Sequence, residues 1–374
     1  MKQLSIFLFA CFAICLIASC SKNKSADTPI PKESKEAVFI CTENNNLISF
    51  HPTTGAKQWE VFFRGTSVGV PVLHNRFLYL TTTNGYFYAI DAILGKITLE
   101  VFIDKYSVHS LAVSGGLLYM SADSFYCFNV LGNKLWSYST GGAPCTSSPQ
   151  LVNGRAYFSA FDKIHAVNIT TGNADWVSAS IGFGINSSPR VSNGLIYFGA
   201  DDRNIYAINE SDGSLRWNYP TNDKVLSSPI VYGGMCIVGS YDNSIYCIDT
   251  ISSPPFGLPR WVIPTNERVV SSAAVHPTSN SILIGSYDFN LYSINHVSGT
   301  VNWKYPSGSI IKSSPVVYKD YVYFTSLDRY LYCVDVVKGS LVWKSFISAN
   351  TDSSPMVDDK TNGVYPAISG MSSN

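Results

Sequence analysis

Short runs of apolar and aromatic residues, separated by turn residues, follow one another through most of the chain. Residues 313–347 show this pattern most clearly. Four segments, at 315–318, 321–325, 330–334 and 340–346, are rich in Val, Tyr, Leu and Phe, the residues that favour strands. Asp-, Asn- and Gly-containing stretches stand between such segments and mark turns. Four short antiparallel strands in so small a unit are typical of one blade of a β-propeller.

The unit repeats along the chain, and each copy contains one large anchor residue. The anchors stand 37 to 44 residues apart and are Trp59, Leu99, Trp136, Trp176, Trp217, Trp261, Trp303 and Trp343. A Gly precedes every anchor by four residues, from Gly55 to Gly339. A second mark, usually Ser-Ser-Pro as in Ser187-Ser188-Pro189, follows the anchor. Regular copies of this size predict a repeat architecture.

We therefore predict an all-β fold, an eight-bladed β-propeller of four-stranded antiparallel blades, over residues 38–374. Residues 38–63 supply only the last three strands of a unit, and residues 353–370 supply a first strand and at most a second. The N- and C-terminal strands together complete the eighth blade, which closes the ring and removes its exposed edge. We expect the anchor Trp to lie in the outermost strand and to pack flat against the neighbouring blade.

The start of the chain is a segment of another kind. Met1-Lys2 is positively charged, and residues 4–18 are apolar and too short for a comfortable membrane span. Small residues precede Cys20, which is typical of a bacterial lipoprotein signal. We predict a signal peptide at 1–19, lipidation of Cys20 and a flexible tether over 20–37. Ser21 follows the lipidated Cys, and the resemblance to proteobacterial lipoproteins, with their sorting rule, implies a place at the outer membrane facing the periplasm. An ordinary signal peptide cut nearby is the alternative.

Composition narrows the classes of function. Lys and Arg total 26, as do Asp and Glu, so the chain has no cationic excess with which to bind nucleic acid. Six cysteines follow Cys20, and Cys127, Cys247 and Cys333 share a repeat position with alanines, so we interpret them as small core residues. The six histidines have no metal-ligand spacing, and His165 holds a slot that is Tyr in other repeats. We predict no catalytic residues, no cofactor and no metal.

Two features are candidates for contact with other molecules. An Asp or Asn opens the turn between the second and third strand of each unit, and we expect a ring at the channel mouth that includes Asp202, Asp242, Asp288 and Asp328. Turn chemistry explains this ring, and binding of a cation or a partner is the alternative. Residues Pro254, Pro255 and Phe256 extend one blade-terminal turn. They are either a tolerated loop insertion or a partner contact.

The stretch Ala207-x-Asn209-x-x-Asp212-Gly213-x-x-x-Trp217 resembles the tryptophan-docking motif of quinoprotein (PQQ-repeat) propellers, and residues 166–176 and 333–343 match it too. The resemblance covers about residues 38–370. One branch of that family, the pyrroloquinoline-quinone dehydrogenases, has adjacent cysteines and a Ca²⁺ site that have no counterpart in this sequence. The other branch, the BamB family of outer-membrane assembly lipoproteins, is similar in length, single propeller and lipobox.

The resemblance to the second branch implies a scaffold for the assembly of outer-membrane β-barrels. We therefore expect a lipid-anchored, monomeric, protein-interaction propeller that is not an enzyme. The suspected partner is the β-barrel assembly machinery, and the membrane is contacted through the Cys20 anchor. A propeller that binds another envelope protein or a polymer is the alternative, and a PQQ-dependent dehydrogenase is the third hypothesis.

Overall fold

A computed structural model describes residues 36–67, 69–103, 105, 107, 109–250, 257–359 and 364–365. The predicted signal peptide, Cys20 and the insertion residues Pro254, Pro255 and Phe256 lie outside this part of the chain. Within it the chain forms 33 strands and one short 3-10 helix, Pro277–Ser279. No helix among the described residues is long and apolar enough to span a membrane.

The chain begins with three strands and then forms the first two four-stranded blades. The chain begins with β1 (Ala37–Thr42), β2 (Asn46–Phe50) and β3 (Lys57–Phe62). Blade 1 then consists of β4 (Val72–His74), β5 (Phe77–Thr81), β6 (Tyr86–Asp91) and β7 (Lys96–Phe102). Blade 2 consists of β8 (Ala112–Ser114), β9 (Leu117–Ser121), β10 (Phe125–Asn129) and β11 (Lys134–Tyr138).

The next three blades repeat the same four-stranded order. Blade 3 consists of β12 (Gln150–Val152), β13 (Arg155–Ala160), β14 (Lys163–Asn168) and β15 (Ala174–Val177). Blade 4 consists of β16 (Arg190–Ser192), β17 (Leu195–Gly199), β18 (Asn204–Asn209) and β19 (Leu215–Pro220). Blade 5 consists of β20 (Ile230–Tyr232), β21 (Met235–Gly239), β22 (Ser244–Asp249) and β23 (Pro259–Pro264).

Two further blades bring the chain back to its start. Blade 6 consists of β24 (Ala274–His276), β25 (Ser281–Gly285), β26 (Asn290–Asn295) and β27 (Val301–Pro306). Blade 7 consists of β28 (Val316–Tyr318), β29 (Tyr321–Ser326), β30 (Tyr330–Asp335) and β31 (Leu341–Phe346). The last two strands are β32 (Met356–Asp358) and β33 (Val364–Tyr365).

The eighth blade is built from both ends of the chain, as the sequence predicted. Its strand order is β3-β2-β1-β32-β33, and Ala37 of β1 pairs with Asp358 of β32. One detail differs from the expectation: β33 is not a second strand of the blade but a fifth one, paired with β32 at the inner edge of the sheet. The second position was already filled by β1, so the returning chain could add only to the channel side. The prediction of an all-β, eight-bladed propeller is confirmed.

The propeller has two distinct faces. The loop face carries the turns between second and third strands and the segments that lead into each innermost strand. The glycine-turn face carries the turns that precede the outermost strands, from Gly55 to Gly339. The chain enters the ring at Ala37 on the glycine-turn face, because Ala37 pairs with the far end of β32.

Each blade core has a small residue between two large side chains, and in blades 2, 3, 4, 7 and 8 both of these are aromatic rings. In blade 4, Ala207 of β18 pairs with Tyr197 on one side and with Trp217 on the other. The two rings meet over the small side chain, with centroids 5.9 Å apart. The same position holds Cys127 in blade 2, which lies between Tyr119 and Trp136. A large side chain at this position would displace both rings.

The cysteines fit this packing. All six in the described part are free and buried: Cys41, Cys127, Cys145, Cys236, Cys247 and Cys333. Burial raises the pKa of the Cys127 thiol to about 11 and that of the Cys333 thiol to about 12. A thiol that stays protonated at neutral pH is a weak nucleophile. The interpretation of the repeated cysteines as core residues agrees with these surroundings.

Seven Trp anchors each join their blade to the next, and Leu99 holds the anchor position of blade 1. The ring of Trp176 in blade 3 lies on the turn of Gly213 in blade 4, where an added Cβ would stand 2.6 Å from the ring. The Trp176 indole N–H donates to the Glu210 carbonyl oxygen at 3.1 Å. Trp343 of blade 7 makes the equivalent bond to Pro52 of blade 8, at 2.8 Å, so the contact also crosses the closure. The predicted packing of the anchors is confirmed.

Candidate functional site

The two serines of the Ser-Ser-Pro mark have different roles. The first serine fastens the start of the innermost strand to its own blade: the amides of Gly199 and Thr325 donate to the hydroxyls of Ser187 and Ser313 at 2.8 and 3.0 Å. The second serine lies nearer the central channel and contacts the neighbouring blade. The proline that follows has no N–H to satisfy, which suits the first position of a strand.

The second serines form a belt of hydrogen bonds around the channel. Each hydroxyl accepts from the backbone amide at the same position in the preceding blade, at 2.9 to 3.2 Å. The hydroxyl belt consists of Ser110, Ser148, Ser188, Ser228, Ser272, Ser314 and Ser354. The eighth position is Val70, whose amide donates to Ser110 but whose side chain has no hydroxyl. The belt therefore has seven bonds, all running in one direction.

The hydroxyl belt surrounds a cavity of about 420 Å³ in the central channel. The rest of its wall is mostly apolar and includes Pro229, Ile230 and Val317. Arg190 is the one charged residue among those that line the cavity. A pocket of this size, apolar with a few convergent polar groups, is the usual form of a small-molecule site.

The four predicted aspartates lie at equivalent turns on the loop face. The Tyr246 hydroxyl donates to Asp242 at 2.6 Å, and the amide of Asn222 donates to the same oxygen at 2.9 Å. Equivalent tyrosine hydroxyls donate to the other three carboxylates, in the pairs Tyr206–Asp202, Tyr292–Asp288 and Tyr332–Asp328. Each carboxylate thus ties its turn to the third strand. Binding of a cation or a partner by this ring stays a prediction.

Burial and hydrogen bonding act in opposite directions on Asp288. Burial would raise the pKa of its carboxyl, but the hydroxyl of Tyr292 and the amides of Asn290 and Asn266 donate to the charged form. The pKa of Asp288 is therefore held below its usual range. The carboxylate stays ionised at neutral pH in its structural role.

Basic and aromatic side chains alternate on the loop face of blades 5 and 6. The Lys224 ammonium lies 4.6 Å from the ring centroid of Tyr241. The Arg268 guanidinium lies 5.1 Å from the same ring and 4.7 Å from that of Tyr287. Contacts of this kind are cation–π interactions. Sequence reasoning missed this row, although the repeated Ser-Tyr-Asp at 240–242 and 286–288 was a visible signal.

The remaining candidates are placed as follows. The interpretation of His165 as an aromatic filler agrees with its surroundings, since its ring stacks on Phe158 with centroids 5.4 Å apart. Burial lowers the pKa of His165 to about 4. Cys20, Pro254, Pro255 and Phe256 lie outside the described residues, so their roles stay predictions.

Eight four-stranded blades, joined by Trp rings on glycine turns, define the chain as a PQQ-repeat β-propeller. A family model described as outer membrane protein assembly factor BamB matches residues 43–183 and 160–361. These matches span most of the propeller, and the chain belongs to that family. No curated protein matches the chain.

Solved structures resemble the fold at low identity. A quinohemoprotein alcohol dehydrogenase, ADHIIG from Pseudomonas putida HK5, has a TM-score of 0.65 and 12% identity over 79% of this chain and 70% of its own. A europium-containing methanol dehydrogenase has a TM-score of 0.64 and 12% identity over 80% of this chain and 84% of its own. The computationally designed protein Ika8 has a TM-score of 0.64 and 13% identity over 84% and 97%.

These neighbours correct one expectation. The sequence led us to expect that the chain is not an enzyme, and the structures most similar to it include alcohol and methanol dehydrogenases. At 10 to 13% identity the likeness is one of fold alone, and it leaves the expectation that the chain is not an enzyme without support. The expectation was wrong because it inferred a missing activity from missing motifs, whereas one propeller fold carries both enzymes and other proteins.

The dehydrogenase neighbours raise the question of a quinone and its metal. Among the described residues, no group of three or more His, Cys, Asp or Glu could hold a metal ion. The cavity wall offers serine hydroxyls and Arg190 but no carboxylate. These side chains do not match a Ca²⁺ site of carboxylate and amide ligands. We therefore assign no residue of the cavity to a quinone or its metal.

Proposed function

We propose that this chain is a lipid-anchored propeller of the bacterial envelope that docks on the machinery for outer-membrane β-barrel assembly. The family match supports the partner class, since the matching model is described as an outer membrane protein assembly factor. The observation that carries the proposal is a row of exposed phenylalanines on three neighbouring blades.

The phenylalanine row consists of Phe346, Phe62 and Phe102, which end the outermost strands of blades 7, 8 and 1. They occupy the same repeat position, three residues after the anchor, and are 54%, 63% and 57% exposed. Single apolar residues on a surface are ordinary, and the recurrence of an exposed aromatic residue at one repeat position of adjacent blades supports an interaction surface there. Aromatic side chains of this kind dominate the energy of protein interfaces.

The row lies at the end of the ring opposite to the chain entry. Phe62 pairs with Asn46 beside the turn of the loop face, whereas Ala37 enters on the glycine-turn face. Glu36, one residue earlier, accepts a hydrogen bond from the Tyr318 hydroxyl at 3.1 Å and pairs with Lys319 at 3.0 Å. The phenylalanine row therefore lies on the face opposite to the point where the chain enters the propeller.

The glycine-turn face has features that suit a nearby lipid surface. Its turn tips in blades 1, 2, 6 and 7 carry large exposed aliphatic side chains: Leu94, Leu131, Val297 and Val337. These blades flank blade 8, where the chain enters. The same turns in blades 3, 4 and 8 carry Thr or Ser instead. Apolar tips of this kind would add to the membrane affinity of acyl chains carried on Cys20.

The experiment replaces the three phenylalanines by serine in the full-length lipoprotein in living cells, followed by crosslinking and capture. The control replaces three exposed aliphatic residues, Val177, Leu215 and Val262, on the outer strands of blades 3, 4 and 5. We expect capture of the β-barrel assembly subunit to fall at least about tenfold for the phenylalanine variant, because interface anchors contribute on the order of 2 kcal/mol each. The control variant should retain capture.

Three outcomes contradict the proposal. Equal capture by both variants would remove the phenylalanine row as the docking surface. Recovery of another envelope protein or a polymer, with no assembly subunit in the wild type, would favour the general binding propeller instead. Loss of capture in the control alone would place the interface on the opposite half of the ring. Unfolding curves of each variant show whether the substitutions disturb the fold.

A further inference from the structure

Arg190 stands at a repeat position that is uncharged everywhere else. It is the first residue of β16, directly after Ser188-Pro189. The equivalent residues of the other blades are Val72, Ala112, Gln150, Ile230, Ala274, Val316 and Met356. The blade fold therefore forms without a charge at this position. The repeat architecture therefore does not account for the charge of Arg190.

The guanidinium of Arg190 has no counter-ion among the described residues. Arg190 is largely buried at the channel wall, and burial lowers its pKa. Among the ion pairs and side-chain hydrogen bonds of the described residues, none includes its guanidinium. Five N–H donors are thus left for other acceptors. An uncompensated, partly buried charge is unfavourable for the folded state, and such costs are typical of groups kept for binding.

The cavity in front of Arg190 supplies further donors. Each hydroxyl of the belt accepts a backbone N–H, and no acceptor for its own O–H is found among the described residues. Ser188 stands two residues before Arg190, and Ser228 is the equivalent serine of the next blade. Their hydroxyls can therefore donate to a bound oxygen atom. A guanidinium fork matches a carboxylate with two parallel hydrogen bonds. No acidic side chain lines the cavity to oppose a negative ligand.

The rest of the cavity wall is apolar, which restricts the class of ligand further. Pro229, Ile230, Ala273, Val275 and Val317 present apolar surface to the same cavity of about 420 Å³. Inorganic phosphate would leave this surface uncovered. A compact organic body would bury this apolar surface and gain from its removal from water.

We propose that the central channel binds a small organic acid, whose carboxylate pairs with Arg190 and the belt hydroxyls and whose apolar body lies against the proline-rich wall. The site is independent of the phenylalanine row, so it can be present whether or not the propeller docks on the assembly machinery. Its ligand class follows from one fork-shaped cation, neutral hydroxyl donors and an apolar wall.

The test uses the full-length lipoprotein in detergent and three probes: benzoate, inorganic phosphate and benzyl alcohol, the neutral analogue of benzoate. Binding is measured by calorimetry and by the shift of the thermal midpoint. Variants are Arg190→Met, which keeps the length without the charge, and Arg190→Lys, which keeps the charge without the fork. Arg268→Met, on the loop face outside the cavity, is the control.

We expect benzoate to bind the wild type and the Arg268→Met variant alike, at least about tenfold more weakly to Arg190→Met, and with intermediate affinity to Arg190→Lys. Benzyl alcohol should bind more weakly than benzoate. Without ligand, Arg190→Met should melt at or above the wild-type temperature, because an unpaired charge has been removed.

Other results would overturn the proposal. Equal benzoate affinity in wild type and Arg190→Met would remove Arg190 from the site. Phosphate binding that exceeds benzoate binding would assign the site to an inorganic oxyanion. A ligand-free Arg190→Met variant that melts well below the wild type would mean that the guanidinium has a structural role.

Discussion

The stacking of a Trp ring on the glycine turn of the next blade can be tested by adding one methyl group. Gly213→Ala places a Cβ 2.6 Å from the ring of Trp176, at a residue with φ of +72°. Gly194 in the same blade has φ of +73° and no neighbour within 4 Å of its Cβ position. Gly194→Ala is therefore a matched control with the same backbone strain and open space.

The difference in free energy of unfolding between Gly213→Ala and Gly194→Ala measures the cost of overpacking against the Trp176 ring. Left-handed backbone costs an alanine about 1–2 kcal/mol in both variants. Overpacking against the Trp ring adds about 1–3 kcal/mol for Gly213→Ala alone. We expect Gly213→Ala to lower the free energy of unfolding by about 2–5 kcal/mol and Gly194→Ala by about 1–2 kcal/mol, as measured by urea unfolding with unchanged m-values.

A second variant checks that the ring is the cause. In a Trp176→Ala background, Gly213→Ala should cost no more than Gly194→Ala, because the clashing ring is absent. Equal unfolding midpoints for Gly213→Ala and Gly194→Ala in the wild-type background would refute the stacking account. The same result would leave backbone conformation as the sole reason for glycine at this repeat position.

Three further predictions concern the belt and the core. Val70→Thr supplies the missing eighth hydroxyl in a side chain of similar shape, and we expect the free energy of unfolding to rise by about 1 kcal/mol. Ser228→Ala removes the acceptor of the Ser188 amide and should lower the free energy of unfolding by about 1 kcal/mol. For His165, the pKa in the folded state, about 4, is below the unfolded value, so stability should fall as pH drops from about 6.5 to 4. His165→Tyr should remove the share of the pH dependence that His165 contributes, while His109, whose pKa burial also lowers, keeps its own share.

Urea unfolding measures all three effects, the last as a series over pH. A Val70→Thr variant that is less stable than the wild type would mean that the eighth belt position cannot accept a bond. An unchanged midpoint for Ser228→Ala would show that water replaces the hydroxyl without cost. The same acid sensitivity in His165→Tyr would assign the pH dependence to other groups.

The fold could be predicted from the sequence because the same structural positions recur in every repeat. Trp217 with Gly213 four residues earlier fixes the outer strand and its turn, and the eight copies fix the number of blades. The eight β-bulges were not foreseen. Each one lies next to the small residue that pairs with the anchor, as between Ala207 and Ile208 in blade 4. A bulge adds a residue and local twist without a sequence mark of its own.

The candidate site was harder to predict, because it depends on contacts between blades. The Ser-Ser-Pro marks were visible, but the pairing of Ser188 with Ser228 depends on the geometry of the ring. Arg190 was overlooked because a single charge in one repeat looks like ordinary variation. Only the closed ring places it in a cavity without a counter-ion. Phe62 and Phe346 were likewise indistinguishable from core residues until the outer strands were placed.

The most direct test of the docking proposal is site-specific photo-crosslinking in living cells, with the crosslinking residue at Phe62 and, separately, at Leu215 on the opposite half of the ring. The account predicts an adduct between position 62 and a subunit of the outer-membrane β-barrel assembly machinery, and none from position 215. An adduct of equal strength from position 215, or an adduct at position 62 with an unrelated envelope protein alone, would contradict it.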